Sequence, residues 1–212
     1  MLDWIQERIE TIYGIRCELK ASDCLVGTKE AARLGGTGRA REELLLREDD
    51  EGLAMALYVA PDLLGTLRAY ASTPSAVLEG ELAGFCEAAE GVSHFLYMAQ
   101  TAQLDRKVSL LELEAQAEVD KFAMCALLKW GHGTARWATE LSTRLFDRIG
   151  FRESLSAEER HRYVEANRLA RTYCQRLLPL FSSRRLESLL RELRYGYRLG
   201  AHAKLRYFAA AP

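Results

Sequence analysis

His94 stands twelve residues before, and Glu118 twelve residues after, the midpoint near residue 106 of a short polar link, Leu104 to Val108. If that link joins two helices as an antiparallel hairpin, residues equidistant from its midpoint stand level with each other. The imidazole and the carboxylate are then expected to face one another, with Glu114 one turn away. A histidine bonded to a carboxylate in apolar surroundings is a general-base arrangement, and paired carboxylates push one pKa upward. His94, Glu114 and Glu118 are therefore the candidate catalytic residues. The competing reading is a polar tie between packed helices, with Lys121 neutralising Glu118 at a spacing of three; structural ion pairs imitate active sites. A carboxylate-bridged metal pair would want a Glu-x-x-His step, but Glu90 precedes His94 by four and Gly91 occupies the needed position. No metal site and no cofactor are expected.

A second constellation is cationic. The segment Ser156 to Leu178 carries Arg160, Arg162, Arg168, Arg171 and Arg176, and further on Arg184, Arg185, Arg191, Arg194, Arg198, Lys204 and Arg206 accompany Tyr195, Tyr197, Tyr207 and Phe208. Guanidinium forks pair with carboxylate or phosphate oxygens, and ring faces accept bases. Arg160, Arg168, Arg171, Arg191, Arg194, Arg198, Arg206, Tyr195 and Tyr197 are the candidate partner- or anion-binding residues. The alternative is internal pairing, for which Glu165 stands three before Arg168 and Glu187 four before Arg191.

Other features carry less. Gly35-Gly36-Thr37-Gly38-Arg39 exposes closely spaced backbone amides, yet has neither a Gly-Lys-Ser/Thr step nor a third glycine opening a helix, and reads as a surface loop. The five cysteines form an odd set without a CxxC pair and do not make a disulfide framework. Cys125 has no histidine beside it by local spacing and reads as buried filler. His132 and His202 stand beside glycines near helix ends and read as solvated caps.

The elements that must position these groups are mostly helical. Trp4, Ile5, Ile9, Ile12 and Tyr13 repeat at helical spacing over 3–13, with Gly14 to end the helix. Residues 15–42 lose periodicity and read as a loop. Glu43 to Glu48 and Leu53 to Val59 flank Asp49-Asp50-Glu51-Gly52 as a hairpin. Pro61 suits the first turn of a short helix through Tyr70. Helices then follow over 75–104, 109–130, 134–149, 156–178, 183–197 and 201–208. Capping boxes, Ser109 with Glu112 and Ser156 with Glu159, mark two starts. Apolar residues surround most of the 109–130 helix, which makes it central. Glu114, Glu118 and Lys121 form one stripe on it, and Glu112, Gln116 and Asp120 a second stripe assigned to solvent.

The 212 residues, 49% of them apolar with only 4 prolines, suffice for a packed core and exclude intrinsic disorder. The expected fold is α+β, predominantly α: a helical bundle with a small N-terminal β-hairpin element, forming one domain over 1–212. Within it, 1–74 is an acidic helix-plus-hairpin subregion and 75–212 a bundle that becomes basic toward the C-terminus. The net charge of −1 conceals a split, since residues 1–130 carry 13 Lys and Arg against 22 Asp and Glu, and residues 131–212 carry 16 against 8. The opening Met-Leu-Asp-Trp-Ile-Gln-Glu shows no basic region followed by an apolar run, so no secretory leader is expected, and the least polar stretch, Leu53 to Leu67, is interrupted by Pro61 and Asp62 and too short to span a bilayer. A cytoplasmic location without membrane association is expected.

Three functional readings remain. The first is a non-enzymatic adaptor or regulator that meets a protein partner through charged helical faces. The second is a nucleic-acid binder using the arginine and tyrosine face of 160–206. The third is an enzyme or metal protein centred on His94, Glu114 and Glu118. A homo-oligomer is also open, through an apolar hairpin edge at Leu53–Val59 or the Trp4 helix.

Overall fold

A computed structural model describes residues 1–50, 52–131, 133–148, 150 and 155–210. Expectations for Glu51 and His132 lie outside the described residues. The fold is α+β and predominantly α, with a three-stranded sheet. The chain gathers into two compact units, residues 1–11 with 15–107, and residues 12–14 with 108–212. The subregion boundary expected at residue 74 falls inside the first unit.

The first unit begins with helix α1 (Leu2–Tyr13), whose residues through Thr11 belong to it. Ile5 and Ile9 are fully buried on one face, and the Trp4 ring lies 6.2 Å from that of Phe85. The stretch expected to be loop contains a two-residue strand β1 (Leu25–Val26) and a six-residue helix α2 (Thr28–Arg33). Both are shorter than the window in which periodicity registers. Strands β2 (Glu42–Asp49) and β3 (Gly52–Val59) form the expected hairpin, paired from Glu42↔Val59 to Asp49↔Gly52. Gly52, at φ 126°, supplies the conformation that closes the turn. Strand order is β1-β3-β2, with β1 parallel to β3. The Leu53–Val59 strand expected at an edge is therefore the middle one, and β2 is the edge.

Helix α3 (Pro61–Arg68) starts on its proline as expected, and a 3-10 turn at Pro74–Ala76 leads into α4 (Val77–Gly80) and α5 (Leu82–Gln103). The single helix expected over 75–104 breaks at Glu81, whose carboxylate accepts from the Gly84 amide at 3.2 Å and caps α5. Helix α5 packs on β2 and β3, with α3 and α4 against it. Phe85, Val92, Phe95, Leu96, Leu57 and Leu63 are fully buried in this unit.

The second unit contains α6 (Leu110–Leu128), α7 (Thr134–Ser142) extended by a π turn at Thr143–Asp147, α8 (Ala157–Ser182), α9 (Leu186–Arg198) and α10 (Ala201–Ala209). Helix α6 packs on α7, α8 and α10, and α8 also packs on α7, α9 and α10. Helix α8 was expected to stop at Leu178 but runs through Pro179 to Ser182. Packing outweighs the missing amide, because Phe181 is buried with its ring 5.8 Å from Phe122 and 5.7 Å from Trp130. Close approach of α9 to its neighbours depends on Gly196. A Cβ there would fall 2.9 Å from Tyr173 Oη and 3.3 Å from Phe208.

Candidate functional site

Leu189, Leu193, Gly196 and Tyr197 turn one side of α9 inward. The opposite side carries Glu187, Arg191, Arg194, Tyr195 and Arg198, whose spacings of three and four put them on one face. With Leu190 and Leu199 they line an open groove of about 610 Å³. Arg191, Tyr195 and Arg198 are exposed. Arg194 is half-buried, and its Nε donates to the Ile12 carbonyl at 2.9 Å, so it closes the C-terminal end of α1. Gly14, at φ 63°, turns the chain away there; a Cβ on it would meet the Arg194 guanidinium at 3.4 Å. The pairing expected between Glu187 and Arg191 is not made. Among the described residues, no carboxylate bonds Arg191 or Arg198.

The other candidate cations divide differently. Arg168 makes two bonds to Glu165, at 2.8 and 2.7 Å, which hold the Glu165 carboxyl below the usual carboxylate range. Arg171 pairs with Asp147 at 2.7 Å. These two satisfy the internal-pairing reading. Arg160 and Arg206 are exposed on α8 and α10. Tyr197, expected on the surface, is buried and stacked on Tyr13 with ring centroids 4.1 Å apart. Tyr207 lies against Tyr195 and donates to Glu192 at 2.5 Å; burial first, and then Glu192, push its phenol up to about 12.

Helix α6 is polar where the bundle is driest. Glu112, Gln116 and Asp120, assigned by the sequence to solvent, are buried, as are Glu114, Glu118 and Lys121. Lys204, from α10, is wholly buried; its Nζ donates to Gln116 Oε1 at 2.6 Å and to the Tyr197 carbonyl at 3.0 Å. Gln116 Nε2 in turn donates to Asp120 Oδ1 at 2.7 Å, and the Tyr13 hydroxyl donates to the same oxygen. Burial, and then Asp120, hold the Tyr13 phenol well above its ordinary value. Cys174 is buried beside this group, and burial, with Glu118 and Asp120 behind it, raises its thiol. Sequence reasoning missed Tyr13, Gln116, Asp120 and Lys204 as one network. The apolar residues on every side of α6 were the available signal, because a helix apolar all round leaves its polar groups no water.

His94 is buried on α5 in the first unit, while Glu114 and Glu118 lie on α6 in the second. Glu118 pairs with Lys121 at 2.9 Å, as the polar-tie reading expects, and Glu114 stands 3.7 Å from Arg162 on α8. In the glycine-rich loop the Thr37 amide donates to both oxygens of Glu43, at 3.1 and 3.0 Å, so a carboxylate of the same chain takes the anion's place. All five cysteines are free thiols; Cys125 is buried, and its carbonyl accepts from Trp137 Nε1 at 2.9 Å. No helix of the described residues is long and apolar enough to cross a membrane. No protein-family model, curated protein or solved structure matches this chain.

Proposed function

We propose that this chain is a non-enzymatic binding protein, an adaptor or regulator that holds an acidic segment of a partner protein on the arginine face of α9. The observation that carries this is the groove in which Arg191 and Arg198 flank an anchored Arg194 with Leu190 and Leu199 beside them. Two exposed guanidinium groups without a carboxylate of their own attract anions from solution, and the leucines add apolar contact area. Arg191 and Arg198 are seven residues apart, a rise of about 10 Å. That spacing suits carboxylates two turns apart on one face of a partner helix.

A nucleic-acid partner is the second reading, favoured by the exposed Tyr195 between the arginines. The burial of Tyr197 weighs against it, since base stacking needs open ring faces. Fluorescence anisotropy with a labelled Glu/Asp-rich peptide and a labelled single-stranded oligonucleotide, each at two salt concentrations, separates the two. The peptide is expected to bind more tightly, and the double variant Arg191→Glu/Arg198→Glu to weaken it at least tenfold, about 1.4 kcal/mol, without changing the melting temperature. Tighter oligonucleotide binding selects the second reading, and no binding of either probe at low salt removes both.

A further inference from the structure

Strand β2 pairs with β3 along its whole length, and on its other side no strand joins it among the described residues. The Ala60 amide donates to the Arg41 carbonyl at 2.7 Å, which fixes the alternation of the ladder. In an antiparallel pair, every second residue directs both backbone groups at its partner. Arg41, Glu43, Leu45 and Arg47 therefore bond toward β3, while Glu42, Leu44, Leu46 and Glu48 direct their amides and carbonyls outward. Among the described residues, no backbone group bonds the outward amides and carbonyls of Leu44 and Leu46. The middle of this edge is Leu44-Leu45-Leu46, with Leu44 and Leu45 half-buried and Leu46 exposed. Edge strands usually protect such a row with a proline, a bulge or a central charge, and this one has none at its centre.

We infer that β2 is an interface for a second copy of this chain, joined edge to edge about a two-fold axis through Leu45. The strand's own sequence selects the occupant. A two-fold axis perpendicular to the sheet pairs residues on the same face, and centring it on Leu45 sets Leu44 opposite Leu46 of the second copy. Both of these residues carry outward backbone groups, so the pair exchanges both N–H···O bonds, and the reciprocal pair does the same. Leu45 meets itself in the closer, non-hydrogen-bonded position. Glu43 falls opposite Arg47 of the second copy, twice, an opposite-charge cross-strand pair. Glu43 gives two oxygens to the Thr37 amide and keeps lone pairs for a guanidinium. The next pair outward, Glu42 with Glu48 of the second copy, is like-charged and confines the favourable ladder to the leucine centre. Shifting the axis by one residue either way loses the Glu43–Arg47 pairing. A contact of this kind is isologous and closes at two copies.

The test is the solution mass of the full chain, by light scattering after size exclusion over a concentration series. The wild-type chain is expected to move from monomer to dimer mass as concentration rises. Leu46→Pro removes an outward amide that β3 does not use, and Leu46→Lys places a charge on the exposed leucine; each is expected to hold the chain at monomer mass with unchanged circular dichroism. Because the two Leu45 Cα atoms would stand about 4.5 Å apart, within disulfide range, Leu45→Cys is expected to give a covalent dimer on mild oxidation where the wild-type chain gives none. A wild-type chain that stays monomeric throughout overturns the inference, as does a dimer that both Leu46 variants leave intact. Capture of an extended leucine-rich peptide at β2 by a chain that remains monomeric also overturns it, in favour of a heterologous strand.

Discussion

Gln116 joins two groups of opposite chemistry. Lys204 can only donate, and an ionised Asp120 can only accept, so the side chain between them must accept at one end and donate at the other. A primary amide does this, and the bonds at 2.6 and 2.7 Å fix which way it points. Tyr13 completes the arrangement by donating to Asp120. Tyr13→Phe leaves that carboxylate short of one donor, a cost of about 1–3 kcal/mol at neutral pH. The same residue makes stability depend on alkaline pH. Its folded pKa is raised, by burial and then by Asp120, so its contribution is complete below the unfolded value of about 10. Above that value the unfolded chain releases a proton that the native state keeps, and stability falls as pH rises. Urea titrations between pH 9 and the onset of alkaline unfolding are expected to show this decline. In Tyr13→Phe the slope above about pH 10 should be shallower by about 1.4 kcal/mol per pH unit; equal slopes would mean that Tyr13 ionises freely in the native state. Tyr173, Tyr207, Cys17, Cys24 and Cys174, all raised by burial, contribute to the decline that remains. At this scale the sequence was readable for Arg168 with Glu165 and for Lys121 with Glu118, because three-residue helical spacings decide such pairs locally. It was not readable for Tyr13 with Asp120, which are 107 positions apart and meet only through packing.

Helix α9 shows how one element reconciles propensity with fit. Glycine in a helix interior costs about 1 kcal/mol relative to alanine, yet Gly196 stands where α8 and α10 approach. An added methyl would meet Tyr173 Oη, which donates to the Glu192 carbonyl at 3.0 Å and whose ring stacks on Phe208 at 4.4 Å. Both rings are buried, and overpacking of this kind costs about 1–3 kcal/mol. The clash therefore outweighs the propensity gain, and Gly196→Ala is expected to lower the melting temperature by about 2–4 °C for each net kcal/mol lost. Gly65, inside α3 with nothing within 4 Å of its added Cβ, is the contrast; Gly65→Ala is expected to stabilise by up to about 1 kcal/mol. Calorimetry on the pair settles the sign, and a higher melting temperature for Gly196→Ala would show that Tyr173 yields. The same balance explains which elements were legible. The hairpin, α6 and the start of α8 follow from alternation, all-round apolarity and caps that residues carry locally. Ser156 and Glu159 form the reciprocal capping box, whereas at α6 Ser109 accepts from the Glu112 amide while the Glu112 side chain lies buried. The continuation of α8 past Pro179 was illegible because it depends on Phe181 reaching Phe122 and Trp130, contacts that no local window contains.

Over the whole chain, near-neutrality arises from an acidic first part and a basic last part that cancel, and salt separates the associations this permits. The four carboxylates of α6, which belong to the acidic first part, are buried, so that part presents less negative charge to solvent than its composition implies. Molecules with little net charge and strong internal asymmetry attract one another through opposite parts when the Debye length is long, about 10 Å at 0.1 M salt, and cease to do so near 1 M, where it is about 3 Å. An acidic peptide on the Arg191–Arg198 face belongs to the same class and should dissociate over that range. Pairing of β2 edges does not, because backbone bonds and leucine contacts carry it and the Glu43–Arg47 pairs add only register. Solution mass measured near the sequence pI of 6.5 at both salt concentrations is therefore expected to show two components. Any species larger than a dimer should vanish at high salt, while the dimer persists there and disappears only in the Leu46 variants. Loss of the dimer itself at 1 M salt would assign self-association to the charge asymmetry of the chain and remove β2 from it.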